Sequence, residues 1–177
     1  MSSMLGTALR VSIFGESHAP AIGCSIDGMP AGVPLDLDEL QNFLDRRAPG
    51  RDATATTRRE ADRARILCGV VDAHTTGAPI AAIIENENTR SQDYDELRRV
   101  PRPGHADYPA RIRYNGFNDV AGGGHFSGRL TAPLCIAGGV ALQALAQRGI
   151  RIAAHIANLG PQGIPDTPLN HMELDED

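Results

Sequence analysis

LRVSIFGESHAPAIGCSID, residues 9–27, decides the architecture of the amino-terminal part of this chain. Leu9, Val11 and Ile13 alternate with their neighbours, and so do Ile22, Cys24 and Ile26. That period puts one apolar face on each of two strands, and the residues from Gly15 to Pro20 turn the chain between them, so the segment predicts a β-hairpin. Gly28, Pro30, Gly32 and Pro34 then break the pattern. Asp36 is placed to cap a helix whose apolar positions Leu37, Leu40, Phe43 and Leu44 share a face, and which ends near Arg47 ahead of Pro49 and Gly50.

Working outward, residues 66–71 and 80–84 are β-branched runs separated by Thr75, Thr76, Gly77 and Pro79, which predicts a second strand pair. Ser91 is a cap for a short polar helix carrying Tyr94 and Leu97. Pro101, Pro103 and Gly104 make a stiff elbow, after which residues 105–114 resume as helix. Gly122, Gly123 and Gly124 are the most flexible point, and a long helix follows from Ser127, with Leu130, Leu134, Ala137, Ala141 and Leu145 on one stripe and Gly149 as its stop. The other faces of that helix are apolar too, which predicts packed layers on both sides of it. Ile150, Ile152, Ala154 and Ile156 alternate as a final strand. The division expected is residues 1–160 as part of one domain and 161–177 as an unpatterned acidic tail.

The chain has 177 residues, 41% hydrophobic and 22% charged, with a net charge of −5 from 17 basic and 22 acidic groups. That composition fits one soluble domain or part of a larger one. Cys24, Cys68 and Cys135 cannot pair completely and form no CxxC, which argues against a zinc site or disulfide framework and for a reducing, cytoplasmic setting. No basic-then-apolar leader opens the sequence, and the apolar stretch 130–145, interrupted by Gly138 and Gly139, reads as too short for a membrane span. Every basic residue is arginine, which a GC-rich genome also produces. Placement is more informative: Arg46, Arg47, Arg51, Arg58, Arg59, Arg63 and Arg65 fall close together in an acidic protein. A local basic segment of this kind suits a small anionic ligand and not a nucleic-acid surface.

Four constellations can carry chemistry. His18 lies in the hairpin turn, where it is either a solvated side chain or a proton donor held on a rigid scaffold, with Glu16 as a possible influence on its basicity. His105 follows a Pro-Gly pair, with Asp107 near enough either to orient its ring or to cap the next helix. Two rigid histidine turns in one short chain favour acid–base work. The run from Gly122 to Arg129 enters a helix as an anion-binding loop would, although it is neither a P-loop nor a complete GxGxxG; a flexible linker is the alternative. The arginine segment offers two-point anion binding, or else a solvated face on which Asp45, Asp52, Glu60 and Asp62 pair with it. His74, His155 and His171 show no motif.

Taken in order, GESHAP (15–20), IDGMPAGVPL (26–35), DRRAPGR (45–51), TRREAD (57–62), TTGAPIAAIIEN (75–86), RSQDY (90–94), RPGHADY (102–108) and GGGHFSGRLTAP (122–133) resemble the chorismate synthases, over about residues 9–160. The resemblance implies an α+β fold, a β-α-β sandwich with helices between antiparallel sheet layers, present here in part. It implies a lyase of aromatic amino acid biosynthesis that eliminates phosphate from 5-enolpyruvylshikimate 3-phosphate to give chorismate. Reduced FMN is the family's cofactor, with NADPH where the enzyme reduces its own flavin, and the family assembly is a homotetramer. No metal, nucleic acid or membrane is implied. By the same resemblance His18 protonates the departing phosphate, and His105 stands near the flavin. His125, Phe126 and Ser127 fall on the flavin-contacting stretch; Arg47, Arg51 and Arg129 hold the substrate's anionic groups.

The sequence departs from the family pattern at Ala19, Ala48, Ala53, His125 and Phe126. Family members run to about twice this length, so the resemblance makes the chain a partial one, inactive by itself. The other readings open to the residues are a non-catalytic phosphate-binding module and a flavin oxidoreductase.

Overall fold

The computed structural model describes residues 3–48, 62–86 and 92–154, with the backbone of 158–159 and 162–163. The strands and helices are β1 (Met4–Leu5), β2 (Arg10–Gly15), β3 (Ala21–Asp27), α1 (Leu37–Arg47), β4 (Arg65–Cys68), β5 (Val70–Val71), β6 (His74–Thr75), β7 (Ile80–Glu85), α2 (Asp107–Arg113), α3 (Thr131–Ala146), β8 (Asn158–Leu159) and β9 (Gln162–Gly163). Single 3-10 segments cover Gln92–Arg98, Ala121–Phe126 and Gly128–Leu130. One antiparallel sheet of five strands runs β1-β2-β3-β7-β4, so the fold is α+β, as expected.

The hairpin of residues 9–27 forms in the register that its alternation requires, with Val11 opposite Ile26 and Ile13 opposite Cys24. Ile22, Cys24 and Ile26 of β3 and Ile80, Ala82 and Ile84 of β7 are all but fully buried on one face. Leu40 and Leu44 of α1 and Ile136, Ala137 and Val140 of α3 complete that core. At roughly 2 kcal/mol for each fully buried aliphatic side chain, this layer is the main source of stability. Asp36 caps α1 as read, its Oδ1 accepting from the amides of Asp38 and Glu39 at 2.9 Å.

Elsewhere the structure corrects the sequence reading. Residues 66–71 are not one strand: the register shifts between Ile66 and Cys68, so β4 pairs with β7 while β5 turns away to pair with β6. The helix at 105–114 is shorter, because Asp107 is its first residue. Ser91 lies outside the described residues, and the segment it was to cap is the 3-10 turn Gln92–Arg98.

The predicted stripe of α3 is also wrong in detail. Its buried positions are Ala132, Pro133, Ile136, Ala137, Gly139, Val140 and Gln143, while Leu134 stays 36% exposed. A helix apolar all round has no periodicity to mark its core face, and the sheet and α1 choose it. A Cβ at Gly139 would lie 2.5 Å from Leu40 Cδ1 and 3.3 Å from Phe43 Cδ1, so this glycine lets α1 approach. Among the described residues α3 has the five-stranded sheet and α1 as its packing partners, so the expected sheet layers on both sides of it are not seen there.

The stretch 130–145 is part of a continuous helical run, Gly128–Ala146, long and apolar enough to cross a membrane by length and composition. Half of it is buried inside the chain, so its apolar character is accounted for as a core helix. The expected strand from 150 to 156 does not form in its described part: residues 150–154 are irregular, with Ile150 and Ile152 exposed. Alternation supplies a face but no partner, and a strand needs a neighbour to satisfy its backbone. Residues 161 and 164–177 of the expected tail lie outside the described residues; Gln162–Gly163 forms β9, which pairs with β8.

Candidate functional site

Three loops converge at one end of the sheet. The hairpin turn between β2 and β3 is tied to the glycine loop by Ser17, whose amide donates to the carbonyl of Gly124 at 3.1 Å. Gly122 and Gly123, at φ 58° and 86°, present bare backbone to two rings. A Cβ on Gly122 would collide with Cε1 and Nδ1 of His18, and one on Gly123 would lie 2.8 Å from Cε1 and 2.9 Å from Nε2 of His105. Adjacent glycines therefore seat both histidines, which brings the two turns together.

His18 packs against Tyr94, with ring centroids 5.1 Å apart, and its Nδ1 is buried without a hydrogen-bond partner among the described residues. A buried imidazole nitrogen left unpaired is costly, which marks this atom as one that awaits a group from outside these residues.

The open choice at Asp107 is settled by geometry: it orients His105 and caps nothing. Its Oδ1 lies 2.6 Å from His105 Nδ1, and its two oxygens also accept from the amide, Nε and Nη2 of Arg102 at 3.0, 2.8 and 2.9 Å. A carboxylate that close to Nδ1 requires a proton there, so Nδ1 is not an acceptor for Arg102 Nη2, which lies 3.2 Å from it and 3.4 Å from Nε2. The Arg102 hydrogen bond, with help from the Arg102 amide and the charges of His105 and Arg102, holds the Asp107 carboxyl far below the usual carboxylate range, although burial opposes this. Glu16 behaves in the opposite way. Burial first, then the charge and hydrogen bond of Asp119, push it up, against a smaller lowering by His125.

His125 spends both ring nitrogens inside the chain. Nδ1 is 2.8 Å from the carbonyl of Gly15, which can only accept, so Nδ1 carries the proton and Nε2 accepts from the Ser3 hydroxyl at 2.7 Å. Phe126 lies 6.2 Å from Tyr114 by ring centroids. Ser127 Oγ accepts from the Arg129 amide at 3.3 Å and so caps the turn that leads into α3.

Arg47 and Arg129 meet on Asp62: Arg47 donates from Nη1 to Oδ2, and Arg129 from Nη1 to Oδ1. Arg47 Nε also donates to Thr131 Oγ1 at 3.0 Å, and Arg129 Nε to Asn86 Oδ1 at 3.1 Å. The pairing of Asp62 with arginines was legible in the sequence, but the surface it was assigned to was wrong. Asp62 is 2% exposed, so the pairing is buried and not on a solvated face. Arg51 lies outside the described residues.

Sequence reasoning passed over Asn86, Tyr94 and Arg102 as site-forming residues. The only local signal for Asn86 was a polar residue closing an apolar strand, and for Arg102 its place beside the Pro-Gly elbow.

The sequence model of the chorismate synthase family matches residues 9–176. The chain is 48% identical over 157 residues to a chorismate synthase of Korarchaeum cryptofilum, covering 89% of this chain and 44% of that protein. It is 50% identical over 174 residues to a chorismate synthase of Lancefieldella parvula, covering 98% of this chain and 45% of that one. A chorismate synthase crystal structure superposes with a TM-score of 0.62 at 26% identity, covering 89% of this chain and 40% of its own. The chain thus spans less than half the length of the relatives it matches. With the family's sequence along nearly its whole length and the family's fold, it belongs to the chorismate synthase family.

Proposed function

We propose that this chain is the amino-terminal part of a chorismate synthase, a lyase that eliminates phosphate and a C6 hydrogen from 5-enolpyruvylshikimate 3-phosphate. The observation that carries this reading is the seating of His18 and His105 on Gly122 and Gly123. His18 is the acid for the departing phosphate, since its Nδ1 is a buried hydrogen-bonding atom still without a partner among the described residues. His105 is held in one orientation by Asp107, and Arg102 adds positive charge beside it. Arg47 and Arg129 hold the substrate's anionic groups, with Arg51.

The bare Gly123 backbone against His105 fits a bound cofactor in this place, and the residues 125–127 with His105 would hold reduced FMN. FMN supplies an electron-rich ring to a reaction without net redox change; NADPH enters only if the enzyme reduces its own flavin. His125, with both nitrogens engaged, contributes its backbone and ring surface. The whole protein assembles as a homotetramer in the cytoplasm, and the remaining half of the family's length supplies the rest of the site.

In the whole protein, His18→Ala and His105→Ala are each expected to lower turnover by about a hundredfold while the fold persists. Retention of activity by both variants would remove the assignment. Titration of the present chain with FMN and substrate tests the need for the rest: tight binding would contradict it.

A further inference from the structure

Asp62 has no exposed side-chain surface and takes one arginine on each of its two oxygens. It also holds a φ of 44°, in the left-handed region that aspartate adopts more readily than most residues. The surrounding contacts enforce that conformation. Gln41 of α1 donates from Nε2 to the Asp62 carbonyl at 3.4 Å and accepts from the Ala64 amide at 3.3 Å, so the backbone is gripped on both sides of the residue.

The network continues in two directions. Through Arg47 it reaches Thr131, which donates to the Gly128 carbonyl at 2.7 Å at the head of α3. Through Arg129 it reaches Asn86, whose Nδ2 donates to the carbonyls of Glu16 at 3.2 Å and Ala19 at 2.7 Å, on either side of His18. Position is thus relayed from Asp62 to the turn that carries His18.

We propose that Asp62 is the positioning residue of the anion site: it pairs Arg47 with Arg129 and registers them against the His18 turn through Asn86. This rests on the reading that these arginines face the substrate's anions. The carboxylate stays in place when the anion binds. Without it the two guanidinium groups repel and the pair loses its spacing.

The test uses the whole protein and inorganic phosphate, with affinity taken from the phosphate-dependent shift of the unfolding midpoint. Wild-type protein binds phosphate, and Asp62→Asn weakens binding by about tenfold or more. Arg47→Ala weakens it as well. Because Asp62 acts through Arg47 and Arg129 together, adding Asp62→Asn to the Arg47→Ala/Arg129→Ala double variant costs no more than about twofold further. A merely structural aspartate would instead give losses that multiply, and that result, or an Asp62→Asn variant with unchanged affinity, overturns the proposal. If wild-type protein binds no phosphate, the anion-site reading fails and the proposal falls with it, a failure distinct from the preceding two.

Should Asp62→Asn not fold, side-chain nitrogen spectra of wild-type protein decide the matter. The Arg47 and Arg129 guanidinium resonances remain in slow exchange on adding phosphate if Asp62 keeps both. Their release by phosphate would make the carboxylate a competitor and sink the inference.

Discussion

His105 donates from Nδ1 to the Asp107 carboxylate across 2.6 Å, and the same carboxylate is gripped by Arg102 through three nitrogens. Its folded-state pKa is lowered, chiefly by the Arg102 hydrogen bond, so it stabilises the fold above the ordinary carboxylate range, from about pH 4 upward. That contribution is lost as pH falls toward the folded-state value. Asp107→Asn should therefore cost about 2 kcal/mol at pH 7, with the difference from wild type narrowing as the pH drops below about 4. Urea midpoints between pH 3 and pH 7 check both the size and the direction.

Gly122→Ala introduces a methyl group where the His18 ring lies, at a left-handed φ of 58°. Both effects act together, and the variant should lose about 1–2 kcal/mol of stability. In the whole protein its turnover should fall nearly as far as that of His18→Ala, since the ring must leave its seat. Wild-type turnover in this variant would mean the seat does not matter.

Glu16 has a raised folded-state pKa, caused first by burial and then by Asp119. A raised acid favours the fold when protonated, so its contribution is complete below about pH 4 and is lost as pH rises through the folded-state value. Glu16→Gln, a neutral isostere, should be more stable than wild type at pH 7, and the advantage should disappear in acid. Thermal midpoints at pH 4 and pH 7 test this; a variant less stable at pH 7 would contradict it.

Gln143 is buried in α3 and stitches it to the start of α1, accepting from the Asp36 amide and donating to the Asp36 carbonyl, both at 2.8 Å. Gln143→Leu matches the apolar surroundings but leaves two backbone groups unpaired. The expected cost is about 2 kcal/mol or more, read as a shift of the denaturant midpoint without a change in slope. A gain in stability would show that water replaces the side chain without penalty.

The elements legible in the sequence are those whose instructions lie within a few residues. Strand alternation in residues 9–27 and the Asp36 cap act over one turn or one pleat, so β2, β3 and α1 emerge where read. The histidine turns were visible for the same reason: Pro, Gly and His adjacent in the chain fix a local shape. Asp62 was visible as an arginine partner, but its burial was not, because Arg47 arrives from the end of α1 and Arg129 from the turn before α3, elements far apart in the chain.

What the sequence alone determined is the period of β2 and β3 and the hairpin turn between them, the Asp36 cap, and the presence of two histidines in rigid turns. Tertiary structure alone decided which face of α3 is buried, why residues 150–154 remain irregular, and how Gly122 and Gly123 set those imidazoles side by side. The division follows from the range of the forces. Backbone preference and capping act between neighbours, whereas burial and the partners of a buried charge depend on which distant surfaces meet.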